Sequence, residues 1–201
     1  SDVYKRQVWL SLASVVLTET MELEDPLTII GVSGLLVSFP ALASTFAYVF
    51  TMDGYMMALF LAVLSVLFTQ KYKKGWILGG VCLAFSMGIY QAYLPFAILL
   101  CVYVILLFFM EEHGVKEKVQ YTLRYLGMGI AGAVLYYVIL QILLKLQGKV
   151  LDTYQGINSM EQGGSGQGLL TTLKGMYYDF LAFTLHGDVL VNNIFSFAAC
   201  A

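Results

Sequence analysis

The residues best suited to chemistry in this chain lie in two short stretches, FTMDGYMM at 50–57 and GIYQAYLPF at 88–96. The first sets Asp53 at the mouth of a run, 54–70, that carries no other charge. A carboxylate facing a cavity there can accept from a sugar hydroxyl, hold a metal or orient a phosphate-bearing lipid. Its plainer role is structural, since Asp before a helix accepts from the first orphan N–H groups and Asp-Gly eases a turn. Tyr55 in the first stretch and Tyr90, Gln91 and Tyr93 in the second offer hydrogen-bond donors and aromatic faces. Tyr90 and Tyr93 equally suit an interfacial aromatic belt, and Gln91 equally suits helix capping.

The elements that must position these groups follow from composition. Of 201 residues, 59% are hydrophobic and 12% charged, with a mean hydropathy of +0.78. A soluble domain has roughly 45–50% apolar residues, so the expected fold class is an all-α integral membrane protein, a polytopic transmembrane helix bundle. The stretches 26–52, 54–70, 75–110 and 125–144 contain no Asp, Glu, Lys or Arg. A bilayer core of roughly 30 Å takes about 20 helical residues, so each is a candidate span. The third is too long for one helix and is broken at Pro95, which predicts two helices joined by a tight turn. The expected spans are 27–50, 54–70, 75–90, 94–110 and 125–144, with partial spans at 8–18 and 189–201 and a long polar connection at 145–188.

The chain ends are expected to be cut. Residues 2–7, DVYKRQ, read as the in-frame translation of a transposon mosaic end used in sequencing libraries, so residues 1–7 are set aside as a fusion scar. DVLVNNIFSFAACA, 188–201, starts an apolar segment and stops inside it. On this reading 8–201 is a fragment of a larger polytopic protein.

Basic residues in short loops set orientation, because Lys and Arg are retained in the cytoplasm. Lys71, Lys73 and Lys74 form one cluster and Lys116, Lys118 and Arg124 another, which makes both loops cytoplasmic. Asp53 and the turn at 90–95 then face outward. The loop ETMELEDP at 19–26 is assigned to the cytoplasm although it is acidic, since acidic residues weigh little in this rule.

Other motifs carry less. GGSGQG at 163–168 lacks the Gly-Lys-Ser/Thr ending of a phosphate loop and reads as a flexible connector. LLTTLKGMYYDFLAFTL at 169–185 has helical spacing and suits an interfacial helix. Lys149 and Lys174 could meet a lipid phosphate or simply face headgroups. His186 and Asp188 could pair, but a lone His supplies no ligand set. Cys82, Cys101 and Cys200 have no metal spacing and read as small apolar residues. Glu111, Glu112 and His113 read as a solvated helix end. The glycines of GWILGG and GMGIAGA suit close helix packing. Near-neutral charge without a basic face excludes nucleic acid as a partner.

The paired signatures FPALASTFAYVFTMDGYM and GIYQAYLPFA, within a block at about 27–110, resemble the bacterial membrane glucosyltransferase-II family. The resemblance implies a GT-C type enzyme of the bacterial cytoplasmic membrane. Its reaction would move a glucosyl group from a polyprenyl-phosphate-linked donor to a surface polysaccharide on the outer face. It implies substrate contacts for Asp53, Tyr55, Tyr90, Gln91 and Tyr93. The chemistry needs a carboxylate base and positive charge or a metal at the leaving phosphate. In GT-C enzymes the base lies on the first outer loop, which here would precede Val8. The catalytic residue is therefore unassigned, no metal ligand is read, and a divalent metal stays open as a cofactor. The alternatives from other classes are a transporter or flippase-like carrier, for which midplane charges or inverted repeats are expected, and a non-catalytic membrane subunit.

Overall fold

A computed structural model describes residues 2–38, 51–148, 174, 175, 177 and 178. The chain divides into two compact units, Ser1–Lys149 and Val150–Ala201. In the second unit the described residues, among them Lys174, are helical and exposed.

The first unit is built, among its described residues, from six helices and no strand. They are α1 (Asp2–Thr20), α2 (Pro26–Ser38), α3 (Met52–Lys71), α4 (Gly75–Ile89), α5 (Leu94–Met110) and α6 (Val115–Gln147). Three helical segments, Asp53–Lys71, Gln91–Met110 and Val115–Gln147, are long and apolar enough to cross a membrane. The chain is an all-α membrane protein. Residues 2–7, set aside as a scar, continue directly into α1.

Helix α3 forms the core. It packs on α1 and α4, and α4 packs in turn on α6. Met56, Ala58, Leu59, Ala62, Val63 and Val66 are all buried. Small residues set how closely α3 and α4 approach. A Cβ added to Gly79 would lie 2.5 Å from the Ser65 carbonyl oxygen, and one on Gly75 would overlap the Phe68 carbonyl at 1.7 Å. Farther along, the Ser86 hydroxyl donates to the Ala58 carbonyl at 2.8 Å. These three pairings run in opposite directions along the two helices, so α3 and α4 are antiparallel. Gly80 and Gly132 do the same for α4 and α6, since a Cβ on Gly80 would be 3.1 Å from the Ala131 Cβ. Gly75, Gly79 and Gly80 of the first sequence cluster and Gly132 of the second thus serve close packing, whereas a Cβ on Gly129 would meet nothing within 4 Å.

Buried hydroxyls are satisfied along the helices, where one turn back supplies a carbonyl. Ser65 donates to the Ala62 carbonyl at 2.6 Å, Thr69 to that of Ser65 at 2.9 Å and Thr20 to that of Val16 at 2.6 Å. A membrane interior offers no water to do this.

The connections explain two surprises in the charge pattern. The acidic turn after α1 lies against the end of α3. Lys71 pairs with Glu19, and Gln70 donates to Glu22 at 2.8 Å. Glu22 occupies the left-handed region at φ 55°, and the amides of Glu22 and Leu23 return to Glu19 and Thr18 at 3.2 Å. That is a Schellman ending without its usual glycine. Asp25 then caps α2, accepting from the Thr28 amide at 2.9 Å and hydroxyl at 2.7 Å. The Thr28 hydroxyl, and secondarily its amide, hold the Asp25 carboxyl below its ordinary value of 3.8.

The second surprise is α6. Residues 115–124, expected as loop, form its first turns, and the helix reaches 33 residues. Lys118 Nζ donates to the Phe109 carbonyl at 2.9 Å, and the Glu117 carboxylate accepts from the Gly114 amide at 3.4 Å. His113 does not stand free as a solvated helix end. Its ring stacks on Phe108 at 4.0 Å, Phe108 stacks on Tyr121 at 4.0 Å, and the His113 Nε2 lies 2.7 Å from Glu111.

Candidate functional site

The turn between α4 and α5 brings the two sequence signatures together. Helix α4 ends at Ile89, Gln91–Tyr93 form one 3-10 turn, and α5 begins at Leu94 with Pro95 in its first turn. Proline fits there because its missing N–H has no intrahelical acceptor to lose. The start of α3 lies beside this turn. A Cβ on Gly54 would be 3.4 Å from Ile89 Cγ2, which places the first turn of α3 against the end of α4.

Three tyrosines converge as a result. The Tyr55 and Tyr90 ring centroids are 4.3 Å apart, and those of Tyr90 and Tyr93 are 5.3 Å apart in an edge-on arrangement. Tyr55 and Tyr90 are half-buried, whereas Tyr93 is only 8% exposed. The Tyr93 hydroxyl is buried and has no hydrogen-bond partner among the described residues. Leaving such a group unmet costs about 1–3 kcal/mol.

Gln91 is exposed and donates through Nε2 to the Tyr136 hydroxyl of α6. Sequence reasoning did not single out Tyr136, because nothing local distinguishes it within the apolar run 125–144. Only a partner 45 residues away gives it a role. Asp53 is half-buried in the first turn of α3 and is engaged in an interaction of its own. It therefore shares the tyrosine end of the bundle, two residues before Tyr55.

Lys174 is exposed on a helical stretch of the second unit. Lys149, His186, Asp188, Cys200, the GGSGQG segment and the FPALASTFAYVF half of the first signature lie outside the described residues. Among the described residues no three His, Cys, Asp or Glu side chains converge to hold a metal.

An apolar groove lies between α4, α5 and α6. It has a volume of about 400 Å³ and includes Met87, Leu94, Ile98, Cys101, Tyr125 and Gly129 among its lining residues. Its end at Met87 and Leu94 adjoins the turn that carries Tyr90, Gln91 and Tyr93. The polar cluster can bind and orient hydroxyls, and the groove can hold a hydrocarbon chain.

No curated protein and no solved structure matches the chain significantly. The model of the family described as Glucosyl transferase GtrII matches residues 7–200, nearly the whole chain. The match covers this helical membrane bundle, and the chain belongs to this glucosyl transferase family.

Proposed function

We propose that this membrane glucosyltransferase is a GT-C type enzyme whose donor is a polyprenyl-phosphate-linked glucose. Its acceptor is a cell-surface polysaccharide on the outer face of the bacterial cytoplasmic membrane. The observation that carries the reading is the convergence of Tyr55, Tyr90 and Tyr93 at the end of the bundle opposite Lys71 and Arg124. By the rule for basic residues that opposite end is cytoplasmic, so the tyrosines face outward. A lipid-borne donor would lay its isoprenoid in the groove and present its sugar at the height of the tyrosines.

In the transfer, the bond from the sugar's anomeric carbon to the acceptor oxygen forms as its bond to the phosphate oxygen breaks. The acceptor's proton passes to a carboxylate base, and the prenyl phosphate leaves with the electron pair. The base lies outside the residues assigned here. Asp53, Tyr55, Tyr90, Gln91 and Tyr93 bind and orient the sugar. Tyr93 is the residue of choice for a test, because its hydroxyl has no competing partner among the described residues.

The experiment is a transfer assay in membranes bearing the protein, with radiolabelled glucosyl phosphoprenol as donor and label followed into polysaccharide. Tyr93→Phe should lower transfer about tenfold, the value of one hydrogen bond made in the transition state. Full transfer by Tyr93→Phe and by a Tyr55→Leu/Tyr90→Leu variant would remove the tyrosine cluster from the reaction.

A further inference from the structure

The basic end of the bundle holds a second cavity, unrelated to the tyrosine cluster. Gln120, Leu123, Arg124 and Gly127 occupy one face of α6, and with Trp76 of α4 they line a surface cavity of about 360 Å³. The indole lies over Gly127, where a Cβ would meet Trp76 Cε3 at an ordinary contact distance of 3.7 Å. Among the described residues no carboxylate lines this cavity.

Arg124 is the one charged residue among its described lining residues, and two lysines precede Trp76 in the chain. Arg124 uses Nη2 on the carbonyls of Thr69 and Tyr72, and its buried Nε has no partner among the described residues. Lys73 and Lys74 immediately precede Gly75 and Trp76, both are exposed, and neither joins an ion pair among the described residues. Of the carboxylates at this end, Glu19 pairs with Lys71, and Glu22 accepts from the neutral Gln70 amide. Beside these cations sit a tryptophan, which favours the height of lipid headgroups, and Leu123, which is 56% exposed.

We propose that this cavity binds an anionic phospholipid of the leaflet at the basic end. The phosphate lies against Arg124, Lys73 and Lys74, and an acyl chain follows Leu123 and the Trp76 ring. Cationic pockets between membrane helices select anionic headgroups, each basic side chain favouring them by roughly fivefold near the surface. The occupant is a lipid because the wall combines cations with exposed hydrocarbon, whereas a free anion would use only the cations.

The chain has two tryptophans, Trp9 and Trp76, so Trp9→Phe leaves Trp76 as sole reporter. The Trp9→Phe protein is reconstituted in phosphatidylcholine vesicles containing equal fractions of either brominated phosphatidylglycerol or brominated phosphatidylcholine. Trp76 fluorescence should be quenched more by the brominated phosphatidylglycerol. A Lys73→Gln/Lys74→Gln variant, which leaves the Arg124 contacts to α3 in place, should lower that preference by roughly fivefold or more. Equal quenching by the two lipids, or an undiminished preference in the lysine variant, overturns the proposal. A preference abolished by inorganic phosphate at constant ionic strength also overturns it, by identifying a small-anion site. Glucosyl transfer does not enter this readout.

Discussion

The guanidinium of Arg124 donates to the Thr69 carbonyl at 2.6 Å, tying α6 to the last turn of a helix 55 residues earlier. A second bond from the same nitrogen reaches Tyr72. The carbonyls at a helix C-terminus lack intrahelical donors and carry partial negative charge, so a cation placed there caps and neutralises together. Arg124→Ala should lower stability by about 2 kcal/mol, the range for a hydrogen bond to a charged group. Denaturation in detergent micelles, followed by circular dichroism, measures it. Arg124→Lys should recover only part of the loss, because an ammonium cannot reproduce the guanidinium fork.

Close approach of α3 and α4 gives a graded test. Gly79→Ala places a methyl 2.5 Å from the Ser65 carbonyl oxygen, where backbone must move, and should destabilise by about 1–3 kcal/mol. Gly54→Ala meets only the Ile89 methyl at 3.4 Å and should leave the melting temperature nearly unchanged. Equal melting of both variants would contradict the packing described.

Ser86→Ala removes the one interhelical hydroxyl bond described between α3 and α4, to the Ala58 carbonyl at 2.8 Å. Interhelical hydrogen bonds in membranes average about 0.6 kcal/mol, so the expected loss is small but should be resolved by the same unfolding measurement.

Tyr93→Phe should separate fold from function. Deleting a buried hydroxyl that lacks a partner among the described residues should leave the empty protein equally or slightly more stable. Transfer should fall in the same variant. A loss of stability accompanying the loss of transfer would assign the hydroxyl a structural bond instead.

Asp25 predicts a pH dependence. Its carboxyl is held below 3.8 in the fold by the Thr28 hydroxyl first and the Thr28 amide second. The contribution is complete above the unfolded carboxyl's value and is lost as pH falls through the lower folded value. The turn before α2 should therefore loosen below about pH 4, the ordinary carboxylate range. Asp25→Asn, which still caps, should flatten that part of the acid-unfolding profile.

Much of the architecture was legible because hydrocarbon thickness imposes itself on composition. Charge-free stretches and Pro95 announce apolar helices and a break between two of them, and the glycines announce close packing. The first turns of α6 escaped this reading because Lys116, Glu117, Lys118 and Arg124 interrupt any apolar run there. Their charged side chains have tertiary partners, the Phe109 carbonyl for Lys118 and the end of α3 for Arg124. Likewise the acidic turn after α1 looked misplaced only while Lys71 and Gln70, its partners, were unknown. The residue types of the candidate site were visible in the chain. The Gln91–Tyr136 bond was not, since pattern within a helix says nothing about which residue of another helix stands opposite.

Helix α4 also acts as a ruler. Its 15 residues rise about 22 Å, and Arg124 and Tyr136 are separated by about 18 Å along α6. The hydrocarbon layer is about 30 Å thick, so the two polar ends are closer together than the membrane is deep. A helix of this length meets the mismatch by pinching the bilayer around it or by drawing water down to its ends. Such a depression would put the tyrosine cluster below the membrane's rim, open to hydrophilic groups from above and to lipids from the side.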